Sequence, residues 1–272
     1  MDVRLRRLVG VSAALTGILM VLGVYTAASG AGLTCAGRWP LCDGFLGLFP
    51  ANWSSFIEWF HRFVAMITGF VVLGTTALAW RRGADRRIRL ALAASTILLP
   101  SQIVLGALTV TTYQWAVLLA HFSTASIIFS GVALAAAAAY APFVRARQAL
   151  GVAGAVLPVL LVLAPHAFVT FGPRVQAVYY FLGLGVYAAL LAAAVWADPG
   201  QSAKARRVRQ LSATAGLIVV SLLVVGRLVY GGTLQYVSIG GSLLALALVA
   251  AAWVAARRED VGPSTRGVPG GD

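Results

Sequence analysis

Glu58, His61 and Arg62 stand together in Ile57-Glu58-Trp59-Phe60-His61-Arg62, at the start of a long apolar run, and a second histidine, His121, opens another such run further along. Spaced i, i+3 and i+4, the first three share one face of a helix. Ionisable groups in or beside a membrane segment are costly enough to imply function. Two imidazoles on neighbouring helices of a bundle can ligate one haem iron from both sides. A carboxylate beside them can act as base or electrostatic stabiliser, and the residues alone do not choose between these. Two plainer readings compete: Glu58 and Arg62 as an ordinary ion pair worth about 0.2–0.5 kcal/mol, and His121 as a packing residue bonded to a hydroxyl such as that of Thr124. His61 falls about one turn into its run and His121 about five residues into its own. Both runs start from the same side of the membrane, and this shared depth favours a site.

The elements that must hold these groups are membrane helices. Of 272 residues 60% are hydrophobic and only 11% charged, against roughly 25% charged in a soluble domain. Apolar runs lie at about 8–29, 57–80, 90–111, 116–140, 149–169, 176–197, 211–230 and 234–256, each long enough to cross a hydrocarbon core of ~30 Å. The fold class expected is therefore all-α and polytopic, with eight transmembrane helices. An even number puts both termini on one side. The net charge of +13 does not mark nucleic-acid binding, because the basic residues are not arrayed on one face. They cluster at alternate gaps: Arg4, Arg6 and Arg7; Arg81, Arg82, Arg86, Arg87 and Arg89; Arg145 and Arg147; Lys204, Arg206, Arg207 and Arg209; Arg257 and Arg258. Those gaps and both termini are then cytoplasmic. The first run is too long for a cleavable signal and reads as the first helix.

The one long loop, about 30–56, lies on the opposite side and holds both cysteines, Cys35 and Cys42. On an oxidising side such a pair reads as a disulfide rather than a metal site. Residues 259–272, with Gly262-Pro263-Ser264 and Gly267-Val268-Pro269-Gly270-Gly271, read as a disordered cytoplasmic tail. The rest divides into halves, 1–145 and 146–258. Offsets of about 120 and 116 residues pair Ser101 with Ser221, Gly106 with Gly226, Trp80 with Trp196 and Gly69 with Gly185. The halves thus read as two related four-helix bundles. The same offsets set His61 on Ala177 and His121 on Gly241, so the second half lacks the groups that distinguish the first.

Cys35-Ala36-Gly37-Arg38-Trp39-Pro40-Leu41-Cys42-Asp43-Gly44, then Glu-x-x-His-Arg at a helix start, then Ser101-Gln102-Ile103-Val104-Leu105-Gly106-Ala107-Leu108-Thr109-Val110 and Leu119-Ala120-His121-Phe122, resemble the haem A synthase family over about residues 10–140. The resemblance implies a membrane oxidoreductase that converts the pyrrole methyl of haem O to the formyl group of haem A for terminal oxidase assembly. His61 and His121 would ligate the iron of the substrate haem, with Glu58 beside the reacting methyl. Arg62 would hold a propionate or Glu58, and Cys35 and Cys42 would be a redox-active or structural pair.

Eight-helix members of the family carry a second histidine pair for a haem b, and this chain has Val175-Gln176-Ala177-Val178-Tyr179-Tyr180 and Val237-Ser238-Ile239-Gly240-Gly241-Ser242 in its place. His166 is the only other histidine there, and a histidine snorkelling to the interface is favoured over a ligand. The second half is therefore expected to hold no bis-histidine haem. Two alternatives stand beside the synthase reading: a non-catalytic membrane haem-binding or electron-transfer protein, and, well below it, a thiol oxidoreductase using Cys35 and Cys42. The expected partners are haem O, the haem O synthase supplying it, membrane lipid and, left open, a second copy of the chain. The expected location is the plasma membrane with the cysteine loop extracytoplasmic.

Overall fold

The computed structural model describes residues 1–112, 114–141, 145–165, 168–197, 202–227 and 233–257. The expected tail at 259–272 and His166 lie outside the described residues. Among those described, all regular structure is helical: α1 (Val3–Ala28), α2 (Trp53–Arg81), α3 (Arg86–Ile97), α4 (Leu99–Thr111), α5 (Trp115–Tyr140), α6 (Ala146–Val162), α7 (Pro173–Trp196), α8 (Ala203–Val225) and α9 (Thr233–Arg257), with short 3-10 turns in the cysteine loop.

Polar caps, not the apolar runs, set where the helices begin. Asp2 accepts from the Arg4 amide at 3.1 Å, Asn52 from Ser55 at 3.0 Å, Asp85 from Arg87 at 2.8 Å and Ser202 from Ala205 at 3.0 Å. Each such cap satisfies an otherwise orphaned first-turn N–H. The helices therefore start several residues before the hydropathy does. α3 and α4 form a single pass broken at Leu98, where Pro100 in the first turn of α4 cannot donate the hydrogen bond a continuous helix needs.

Among the described residues, seven helices are long and apolar enough to cross a membrane, α3 and α4 counting as one. The expected eighth is not among them: α6 has 17 residues, roughly 26 Å at 1.5 Å per residue. The run expected at 149–169 thus stops at Val162. Pro158 removes a backbone donor inside α6, and Leu163, Ala164 and Pro165 extend the apolar composition without extending the helix. Phe70, Ile97 and Leu217 are 68, 75 and 65% exposed, as a chain whose outer surface meets lipid requires.

The helices pack as two four-membered rings, α3 and α4 together forming one member. In the first, α1 lies on α2, α2 on α3, α3 and α4 on α5, and α5 on α1; in the second, α6, α7, α8 and α9 close in that order. α1 and α5 pack on α7 to join the rings. Hydroxyls stitch the first ring: Ser12 to Thr75 at 3.0 Å, Thr76 to Thr96 at 2.8 Å and Ser95 to the Ile128 carbonyl at 3.0 Å.

The two cores are distributed differently. The second core runs the full length of its ring, from Leu150 to Leu160, Phe171 to Ala197, Val208 to Leu223 and Ala245 to Ala256, and takes in Met20, Val24, Phe122 and Phe129 from the first ring. The separate buried cluster of the first ring, Leu5, Val9, Val72, Ala79, Ala84, Ile88, Ala91, Leu92, Ile128, Val132, Ala135 and Ala139, lies wholly toward the basic end. Toward the cysteine loop, the first ring presents its histidines instead.

Candidate functional site

α2 and α5 are diagonal in the first ring, each packed on α1 and on the α3–α4 pass rather than on the other. His61 stands eight residues after Trp53 in α2 and His121 six after Trp115 in α5, roughly 12 and 9 Å along helices that both start at the loop end. The common depth expected from the sequence holds, with His61 two turns inside its helix rather than one. The imidazoles are near enough to interact electrostatically.

Glycines flank both rings. A Cβ at Gly23 of α1 would lie 3.0 Å from Cε1 and 3.5 Å from Nε2 of His61, and one at Gly106 of α4 would lie 3.5 Å from Cε1 of His121. Each glycine lets a neighbouring helix approach an imidazole closely. Gln102 of α4 donates to the His121 carbonyl at 3.1 Å and ties the two helices together beside the ring.

Neither histidine has the partner that a packing role supplies. The Thr124 hydroxyl donates to its own helix, at Ala120 O, at 2.9 Å, and Nδ1 of His61 and of His121 are both buried without a hydrogen bond. An unsatisfied buried polar group costs about 1–3 kcal/mol, and two at one depth call for a ligand. The donor set suits a haem: imidazole nitrogens on facing helices are its usual axial ligands, and no Cys, Asp or Glu joins the two histidines in a harder-metal cluster among the described residues.

Glu58 is 5% exposed and its Oε1 accepts from Arg62 Nε at 2.8 Å. The ion pair is buried rather than superficial, and Arg62 does more than complete it. Its Nη1 donates to three backbone carbonyls of the cysteine loop, Arg38 at 3.1 Å, Pro40 at 3.5 Å and Leu41 at 2.9 Å, while Nη2 is buried without a partner.

The loop is built to present those carbonyls. Cys35 and Cys42 are joined as a disulfide, both buried, their sulfurs 3.9 and 4.0 Å from the Ser55 carbonyl in the first turn of α2. Cys35 and Ala36 are held at φ 61° and 54°, left-handed conformations that cost about 1–3 kcal/mol each outside glycine. At Gly44 a Cβ would stand 2.5 Å from the Phe49 carbonyl oxygen, so only glycine fits.

Asp43 pins the loop to α2, accepting from Ser55 Oγ at 2.6 Å and from the Ala51 amide at 2.9 Å. Those two bonds, the first above all, hold its carboxyl below the ordinary value of 3.8. Cys35, Cys42 and Asp43 lie close together, but sulfurs joined to each other offer no thiolate to a metal. Around the entrance, Trp53, Phe56 and Phe60, and Trp59 with Phe63, stack at centroid distances of 5.3 to 5.8 Å, a belt suited to the membrane–water interface.

Among the described residues, the second ring has no comparable place. The position paired with His121 is Gly241, where a Cβ would meet the Leu222 side chain at 2.9 Å. Beside Ala177, Phe122, Tyr180, Tyr179 and Phe171 make successive edge-to-face contacts, and the Tyr180 hydroxyl donates to Leu223 O at 3.0 Å.

Glu58, His61, Arg62, His121, Cys35 and Cys42 are thus gathered at one end of one ring. Sequence reasoning missed Gly23, Gly106, the amide of Gln102 and the anchoring by Asp43. All but Gly23 lay inside motifs already singled out, and a glycine in α1 at the depth of the histidines was the one available signal for Gly23.

Residues 48–170 match the COX15-CtaA family, described as cytochrome oxidase assembly protein. That span takes in Glu58, His61, Arg62 and His121 and begins after the cysteines. The chain is 34% identical over 119 residues to a haem A synthase of Bacillus licheniformis, covering 43% of this chain and 39% of that one. It is 35% identical over 123 residues to a haem A synthase of Bacillus pumilus (44 and 39%). It is also 39% identical over 97 residues to a protohaem IX farnesyltransferase of Halobacterium salinarum (34 and 20%). The chain thus spans between a fifth and two fifths of the length of these relatives. Over residues 48–170, which carry both histidines, this multi-pass membrane protein is similar to the cytochrome oxidase assembly family and to haem A synthases.

Proposed function

We propose that the chain binds haem O between His61 and His121, at the extracytoplasmic end of its first four-helix bundle in the plasma membrane, and oxidises one ring methyl to the formyl group of haem A. The observation that carries this reading is the pair of buried, unpartnered imidazole nitrogens at one depth on diagonal helices, in a ring whose own apolar core stops short of them. The basic clusters, at the opposite end from the cysteine loop, support an extracytoplasmic position for that loop.

When bound, the haem supplies the conjugated ring through which electrons leave the methyl carbon. The chain's residues do the rest. His61 and His121 fix the macrocycle between α2 and α5. Glu58, one turn before His61, accepts protons from the methyl carbon or from water, with Arg62 hydrogen-bonded to it and orienting it at the point of transfer. Two rounds of oxidation give a geminal diol that loses water, so that one methyl and one water yield one formyl group, four protons and four electrons, the electrons passing to an oxidant supplied from outside this chain. The helices keep bulk water away while the protons pass to Glu58.

A second reading, a haem-binding or electron-transfer protein without turnover, is favoured by one observation. Relatives named for two different haem reactions match this chain over comparable lengths, so the shared part need carry only haem binding. Co-expression with a haem O-producing farnesyltransferase, followed by chromatography of the extracted haems, separates the two. Formylated or hydroxylated haem supports the synthase; haem O alone, bound and unchanged, supports the carrier.

A further inference from the structure

We infer that Arg62 is a positioning residue that transmits the geometry of the cysteine loop to Glu58. The inference rests on the reading of Glu58 as the proton acceptor. One guanidinium carries the whole connection: Nε binds Glu58 Oε1 at 2.8 Å, and Nη1 binds carbonyls of residues 38, 40 and 41. All three carbonyls lie inside the ring closed by the Cys35–Cys42 disulfide. They converge on a single N–H pair, which requires a turn that the left-handed residues Cys35, Ala36 and Gly37 provide.

The geometry is specific to arginine. A planar fork can hold a carboxylate with one edge and carbonyls with the other, whereas a lysine ammonium is a single point of charge that cannot span both. The carboxylate is fixed along the helix by its own backbone, but its rotation about the side-chain bonds is set by Arg62, and Arg62 is set by the loop. Closing the loop by a disulfide therefore aligns Glu58 through the arginine. The other attachments of the loop, through Asp43 to Ser55 and Ala51 and Leu48 O to Trp59, hold the loop on α2 but do not reach the carboxylate.

Three variants of the full-length protein test this in membranes supplied with haem O: Arg62→Lys, the paired Cys35→Ser/Cys42→Ser, and their combination. The expected result for Arg62→Lys is a fall in turnover of about 10- to 100-fold with haem O affinity within about twofold of wild type, the cost of a misplaced catalytic group. Opening the ring lowers turnover similarly, and the combined variant loses no more than the worse of the two, because both act through one link. The infrared carboxyl band that disappears in Glu58→Gln shifts in Arg62→Lys, which a merely structural arginine would not cause.

Multiplying losses in the combined variant would overturn the inference, as would an unmoved band with turnover intact in Arg62→Lys. Should the cysteine variant fail to accumulate, Arg62→Lys and its infrared band decide alone. Failure of the underlying reading looks different: Glu58→Gln would then still make formylated haem.

Discussion

Gly23→Ala should loosen the haem without loosening the protein. The added Cβ would stand 3.0 Å from His61 Cε1 and 3.5 Å from its Nε2, where unstrained carbon contacts are about 3.5–4.0 Å. The ring or α1 must yield by roughly 0.5 Å. An unligated imidazole can do so by rotating, but one bonded to iron cannot, because ligation fixes both its distance and its plane. Overpacking of this size costs about 1–3 kcal/mol, which converts to a roughly 5- to 140-fold weaker dissociation constant. Alanine meanwhile gains up to about 1 kcal/mol of helix propensity over glycine, so the haem-free protein should melt no lower than wild type. Gly106→Ala is the matched control, since its Cβ would lie at an ordinary 3.5 Å from His121 Cε1. Haem titration of purified, detergent-solubilised variants followed at the Soret band gives the affinities, and thermal unfolding without haem gives the stability. Equal weakening by the two alanines, or wild-type affinity in Gly23→Ala, would refute the reasoning.

Glu58→Gln should abolish formylated haem while leaving haem affinity within about twofold, because the carboxylate acts on the reacting carbon and not on the iron; equal loss of both in chromatography and titration would count against it. The purified protein should carry one haem per chain by pyridine haemochrome assay, since the second ring is filled by Tyr180, Leu222 and their neighbours; two per chain would contradict that packing. The anchoring of the loop should weaken in acid. Asp43 has a folded value below its ordinary 3.8, so its contribution is present in full above the unfolded value and is lost as pH falls through the folded one. Proteolytic nicking of the loop should therefore rise only below about pH 4, and Asp43→Asn should be nicked faster at neutral pH and lose that acid dependence.

Much of the fold was legible because hydropathy and basic clusters report on the bilayer, and the bilayer acts on every pass alike. What hydropathy reads poorly is polar chemistry at helix ends. Asn52 caps α2 so that the helix starts four residues before the apolar run, which moved His61 from one turn deep to two, and Leu163–Pro165 kept an apolar composition after α6 had ended. The site was legible as residue types: Glu58, His61, Arg62 and His121 are polar where polarity is expensive. Its mechanics were not. Nothing in the order of residues says which face of α1 meets α2, so the contact of Gly23 with His61 is a product of packing. Likewise, the three carbonyls on Arg62 belong to Arg38, Pro40 and Leu41 as backbone, and backbone carries no sequence signal.

The most direct test of the central claim is the spin state of the bound iron, read by electron paramagnetic resonance of the haem-loaded protein and its histidine variants. Wild type should give a low-spin, six-coordinate signal. His61→Ala and His121→Ala should each convert it to high spin, because each removes one of two axial imidazoles. A low-spin signal surviving in the double variant would show that the iron is held elsewhere.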